Sequence, residues 1–177
     1  MSRFAAMVVA ATAMTLSPGM DAFADDQEPA TAHARLQLAD GTPAGEVMLT
    51  ETPSGVLIEA HLTGLPQGTH GFHIHQTGAC EPDFDAAGGH LADPDGQAHG
   101  FLVPGGPHLG DLENIHVPET GELTVETFNT RVSLDENGAL MDGDGAAILV
   151  HSGPDDYRSQ PSGDAGDRIA CGVIVAG

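Results

Sequence analysis

His73-Ile74-His75 is the first place in the chain where side-chain chemistry and spacing coincide. On a β-strand, residues two apart point to the same face, with Cα atoms about 6.6 Å apart. Two imidazoles on one face can converge on a single metal ion, while Phe72 and Ile74 turn into a core. Taken alone, such a pair equally describes two solvated strand histidines. The stretch that follows adds His90, His99, His108 and Asp111. His108-Leu109-Gly110-Asp111 is a tight turn able to set an imidazole beside a carboxylate. Nitrogen donors with one carboxylate suit tetrahedral zinc. His151 closes the apolar run Ala146-Ala147-Ile148-Leu149-Val150, and a histidine leaving a buried strand needs a polar partner or a metal. An all-imidazole set near tetragonal geometry favours copper(II) over harder cations. These seven side chains fill two four-coordinate sites only if one is shared or one position stays open.

The segments that must position these groups are short and extended. Residues 34–38, 46–51 and 56–62 alternate apolar and polar side chains between turn residues. Residues 70–75 continue as one extended segment, and 115–117 and 123–128 flank the turn Pro118-Glu119-Thr120-Gly121. Residues 132–134, 147–151 and 169–175 complete the pattern. Short strands with frequent turns indicate an antiparallel sandwich or barrel in a single domain. Two connections, 76–111 and 152–168, are too long for hairpins. Long structureless loops inside a compact domain are usually functional, and a metal and a disulfide are the candidates for ordering them.

Residues 1–24 read as a signal peptide. Arg3 supplies the positive region, 4–16 the short apolar core, and Ala22-Phe23-Ala24 a small-x-small cleavage pattern, with cleavage after Ala24. The apolar run is too short to span a bilayer. The domain is then 25–177, in a periplasmic or secreted location. The chain's two cysteines, Cys80 and Cys171, are expected to pair in that oxidising compartment. The formal net charge is −21, with five basic residues, all arginine, against 26 acidic ones. Nucleic acid and anionic membranes need basic patches, so neither is an expected partner.

Gly71-Phe72-His73-Ile74-His75, Ala87-Gly88-Gly89-His90, His108-Leu109-Gly110-Asp111-Leu112 and Ala170-Cys171-Gly172-Val173-Ile174 resemble the copper/zinc superoxide dismutase family of bacterial periplasmic type. The match runs in order along nearly all of 25–177. The resemblance implies an eight-stranded antiparallel Greek-key β-barrel, an Ig-like sandwich with two long functional loops; such dismutases are among the known sandwich architectures. It implies copper held by His73, His75, His90 and His151. It implies zinc held by His90, His99, His108 and Asp111, with His90 shared as a bridging imidazolate. Asp155 would hydrogen-bond His73 and His99 from behind, and Cys80–Cys171 would tie the metal loop to the last strand. The implied reaction converts two superoxide anions to O2 and H2O2 by Cu(II)/Cu(I) cycling and protects the exported compartment. His90 would act in catalysis as proton donor, and Arg168 would hold the anion, with an alternative ion pair to Asp164 or Asp167. A metal-storage protein on the same barrel would need the ligands but not Arg168. The expected partners are superoxide and a second copy of the chain in a homodimer.

The sequence departs from the family in its charge. Many members place lysines near the channel to attract superoxide, whereas 76–111 here holds no Lys or Arg. Residues 152–168 set Arg158 and Arg168 against four aspartates. A chain of charge −21 repels the substrate at long range. Added salt should therefore slow this protein less than its relatives, or speed it. Of the remaining histidines, His70 is expected to make a structural hydrogen bond, and His61 and His116 to lie exposed on strands. His33 lies near the mature terminus.

Overall fold

Alternation is what makes these segments strands. In β3 (Gly55–Leu62), Val56, Ile58, Ala60 and Leu62 are buried while Leu57, Glu59 and His61 turn outward. The computed structural model describes residues 28–136 and 138–177, and the expected signal peptide lies outside them. The other strands are β1 (Thr31–Leu38), β2 (Pro43–Thr52), β4 (Gly68–His70), β5 (Phe72–His75), β6 (Ile115–Val117), β7 (Leu123–Asn129), β8 (Ala147–His151) and β9 (Arg168–Ala176). Seven form one antiparallel sheet in the order β5-β8-β9-β1-β2-β3-β7, and β4 pairs with β6. β4 runs into β5 at one edge of the large sheet and β6 into β7 at the other. The β4–β6 pair therefore links the two edges, and the sheet curls around one core of Val47, Leu49, Ile58, Phe72, Ile74 and Ile148.

Two expectations are corrected. Residues 70–75 are not one strand. The backbone breaks at Gly71, whose N–H donates to Gly153 O (2.8 Å) and whose carbonyl accepts from His151 N (2.9 Å). Joining β4 and β5 across this break leaves the eight strands expected of the barrel. Residues 132–134 form no ladder. Val132 and Leu134 are buried, but the Leu134 N–H donates to the Glu51 side chain (2.6 Å) instead of a neighbouring strand. Their alternation comes from loop packing.

β5 and β8 are buried on both faces. Phe72, Ile74, Ile148 and Val150 fill the main core, while Ala147 and Leu149 pack with Cys80, Ala87 and Cys171 in a smaller cluster. The long loops cover the outer face of these two strands. Cys80–Cys171 is a disulfide across 91 positions, with Cα atoms 5.9 Å apart, and it fixes the first loop to β9. On the chain-entropy model, closing a loop of that size stabilises the fold by about 4–5 kcal/mol.

Candidate metal centre

Strand periodicity aims His73 and His75 away from the core and under the loops. β8 ends beside them, bringing in His151, and the first loop returns over β5 to deliver His90, which bridges to His75 in a short antiparallel contact. The turn 108–111 is pinned by Gly110, whose N–H donates to Leu91 O and whose carbonyl accepts from Ile74 N. A Cβ on Gly110 would overlap the Ile74 carbonyl, so glycine is required there. Two donor sets result. His73, His75, His90 and His151 form one, and His90, His99, His108 and Asp111 the other, with donor atoms within 4.8 Å of one another in each. All seven residues are buried, and His90 belongs to both sets.

The hydrogen bonds on the far side of each ring decide which nitrogen faces the centre. His73 Nε2–H donates to Asp155 Oδ2 (2.9 Å), so its Nδ1 is left as a buried lone pair without a partner. His75 Nδ1–H donates to Gly88 O (2.9 Å) and His151 Nδ1–H to Gly166 O (3.2 Å). Their Nε2 atoms then face each other at 3.3 Å, two lone pairs with no proton between them. His99 Nε2–H donates to Asp155 Oδ1 (3.0 Å) and His108 Nε2–H to Gln97 O (3.2 Å), turning both Nδ1 atoms towards Asp111. His90 Nδ1 lies 2.8 Å from Asp111 Oδ1, while its Nε2 is buried and unpartnered. Lone pairs converging at two buried points repel one another unless cations occupy those points. The residues present therefore fit two metal ions, one against imidazoles only and one against imidazoles and a carboxylate.

Electrostatics run the same way. Burial pushes His75 down to about 2, His73 to about 3 and His151 to about 4, so all three stay neutral and available as ligands. Burial likewise lowers His108. For Asp111, burial alone would raise the pKa, but the contact with His90 and the Gly100 N–H outweigh it and hold the carboxyl below its ordinary value. Asp155 follows the same balance: burial is outweighed by hydrogen bonds from His73, Tyr157 N–H and His99. Asp155 thus joins one histidine of each donor set. Gly163, at φ +70°, passes so close that a Cβ would overlap Asp155 Oδ1 and lie 2.7 Å from His99 Nε2.

Several supporting groups carry no signal in the sequence. Asn114 exchanges two hydrogen bonds with the backbone of Asp155 (2.8 and 2.9 Å), and its own N–H donates to Tyr157 Oη (2.7 Å). Gln160 brackets the backbone of His99 with two bonds of 2.9 Å. Gly88 O accepts from both His75 and Arg168 (2.9 and 2.6 Å). Arg168 also donates to Phe84 O, and its ion pair is with Asp85 (3.6 Å), not with Asp164 or Asp167. It lines a cleft of about 220 Å³ with His75, His90, His151 and Ser162. His70 is buried and holds His151 O (2.8 Å) and Pro66 O (2.9 Å), as expected of a structural histidine. His61 and His116 are exposed on strands, bonded to Thr124 and Thr69.

Fold and site together define a curled antiparallel β-sheet protein with a buried histidine-aspartate cluster, able to hold metal ions, under two loops. Residues 43–174 match the family model described as copper/zinc superoxide dismutase (SODC). The chain is 47% identical to a Cu-Zn superoxide dismutase of Aquifex aeolicus, covering 81% of this chain and 85% of that one. It is 45% identical to the Cu-Zn superoxide dismutase of Caulobacter vibrioides over the same shares. A crystal structure of a SOD-like protein from Bacillus subtilis superposes with a TM-score of 0.75 at 33% identity, covering 81% of this chain and 97% of that one. The chain belongs to the copper/zinc superoxide dismutase family, and copper and zinc are the metals that membership implies.

Proposed function

We propose that this protein is an exported superoxide dismutase holding copper at His73, His75, His90 and His151 and zinc at His90, His99, His108 and Asp111. The observation that carries this is the pair of opposed Nε2 lone pairs of His75 and His151, 3.3 Å apart beside the unpartnered Nδ1 of His73 and Nε2 of His90. When bound, copper supplies the Cu(II)/Cu(I) redox chemistry that turns two superoxide anions and two protons into O2 and H2O2. The protein's contribution is placement, charge and protons. Arg168 is fixed by two backbone carbonyls and offers its guanidinium to an anion entering the cleft, as a charge-assisted hydrogen bond donor. His90 stands between the two donor sets, and its Nε2 is positioned to carry one of the two protons that peroxide needs, solvent supplying the other. Asp155 holds His73 and His99 in the tautomers their roles require.

Export rests on the signal-peptide pattern of 1–24, and the Cys80–Cys171 disulfide suits an oxidising compartment such as the periplasm. Protection of that compartment from superoxide follows from the location. The homodimer belongs to the same proposal, with Met48, Phe128 and Val175 as exposed apolar surface, and sedimentation velocity tests it. The test of function is metal analysis with a dismutation assay on the purified protein and on His151→Ala. The proposal expects both metals in the parent and a loss of copper and of turnover in the variant. A fully metallated parent that leaves superoxide decay unchanged would overturn it.

A further inference from the structure

Three successive carbonyls in the turn carrying His108 and Asp111 each have a separate donor. Gly110 O accepts from the main-chain N–H of Ile74 (2.9 Å). Leu109 O accepts from Asn129 Nδ2 (2.7 Å), and Asp111 O accepts from Arg131 Nη2 (3.0 Å). The first is a main-chain bond, made possible by glycine at 110. The other two come from the C-terminal end of β7, far along the chain and outside both donor sets. Asn129 is only 3% exposed, and its Oδ1 accepts the main-chain N–H of Arg131 (2.9 Å), so the Asn129 side chain is held by the backbone that carries Arg131. Arg131 also stands over the ring of Phe101 (5.7 Å), next to Gly100, whose N–H donates to Asp111 Oδ2 (2.8 Å). The turn is thus gripped on both sides of Gly110, and Asp111 at both its carbonyl and its carboxylate.

Resting on the zinc site proposed above, we infer that Asn129 and Arg131 form a clamp that positions the Asp111 carboxylate. They thereby set zinc affinity and the preference of that site for zinc over copper. The carboxylate is the one donor distinguishing this set from the all-imidazole set. An Asp111 free to swing leaves His90, His99 and His108, a donor set that copper(II) also accepts. A guanidinium beside a cation site is electrostatically unfavourable. Its presence is explained by the geometry of its donors, which two substitutions separate from its charge. Arg131→Met removes the Nη2 donor and the charge, and Arg131→Lys keeps the charge but loses the planar guanidinium that places that donor. Asn129→Asp keeps the shape but cannot donate to Leu109 O.

The experiment measures zinc dissociation constants of the zinc-free mature chain and the three variants by competition with a chromophoric chelator. The visible spectrum of cobalt(II) in the same site is recorded in parallel. Zinc binding is expected to weaken about 10- to 100-fold in Arg131→Met and Asn129→Asp, with Arg131→Lys also weakened. Cobalt bands should shift, and copper should enter the zinc set on titration. Circular dichroism of the zinc-free proteins checks folding, and if Met or Asp unfolds the chain, Arg131→Lys carries the test. Wild-type zinc affinity in folded variants, or tighter binding in Arg131→Met, overturns the clamp alone. A wild-type chain that takes up no zinc overturns the zinc site and the clamp together.

Discussion

Lowering the pH should destabilise the metal-free protein well above the range where carboxylates titrate. His73, His75 and His151 sit near 3, 2 and 4 in the native protein because burial penalises their charged forms, against an ordinary value of 6.5. Below pH 6.5 the unfolded chain binds protons at these rings and the native chain does not, so stability falls as pH falls. The window runs from about 6.5 down to about 4, where His151 begins to protonate in the native state as well. Between pH 7.5 and 5.5 each ring contributes about 1.4 kcal/mol, and the three together about 4 kcal/mol. That is a large part of the ~5–15 kcal/mol by which domains are stable. The assay is urea unfolding of chelator-treated protein, disulfide intact, followed by far-ultraviolet circular dichroism because the chain has no Trp. His151→Ala should remove about one third of the pH dependence. A stability that is flat from pH 7.5 to 5.5, or an unchanged slope in the variant, refutes the linkage.

Replacing Asp155 by Asn leaves an amide that cannot accept from His73, His99 and Tyr157 N–H as the two carboxylate oxygens do. Metal affinity should fall about 10- to 100-fold by chelator competition, and wild-type affinity would contradict the role given to Asp155. Gly163→Ala drives a Cβ into Asp155 Oδ1 at a left-handed φ. It should lower both metal retention and the thermal midpoint, where a tolerated alanine would show the approach to be loose. Arg168→Gln should reduce the dismutation rate while metal content, measured by elemental analysis, stays unchanged. In the parent, rate against ionic strength should be shallow or rising, and a steep fall would contradict repulsion by a chain of charge −21.

What the sequence makes legible is residue type and period. Val56, Ile58, Ala60 and Leu62 alternate because β3 packs one face on the core, and the period is visible without coordinates. The same cue misleads at 132–134, where Val132 and Leu134 are buried from a loop and the ladder is absent. His73 and His75 share a face by strand geometry, yet which nitrogen each presents depends on Asp155 and Gly88, contributed by loops without periodicity. Asp155 and Asp156 are adjacent and chemically alike. Only the fold buries the first between two histidines and leaves the second exposed, capping Arg158 and Ser159. Arg168 pairs with Asp85, across the disulfide loop, because closure of Cys80–Cys171 brings that loop to β9. Asn129 and Arg131 act through main-chain carbonyls, which no residue pattern can mark.

One imidazole, His90, serves two buried donor sets, and the proposed pair of metals depends on it. Anomalous diffraction at the copper and zinc edges from crystals of the metal-loaded protein tests this most directly. Two peaks are expected, copper on the Nε2 side of His90 and zinc on the Nδ1 side. A single peak, or two peaks that do not share His90, contradicts it.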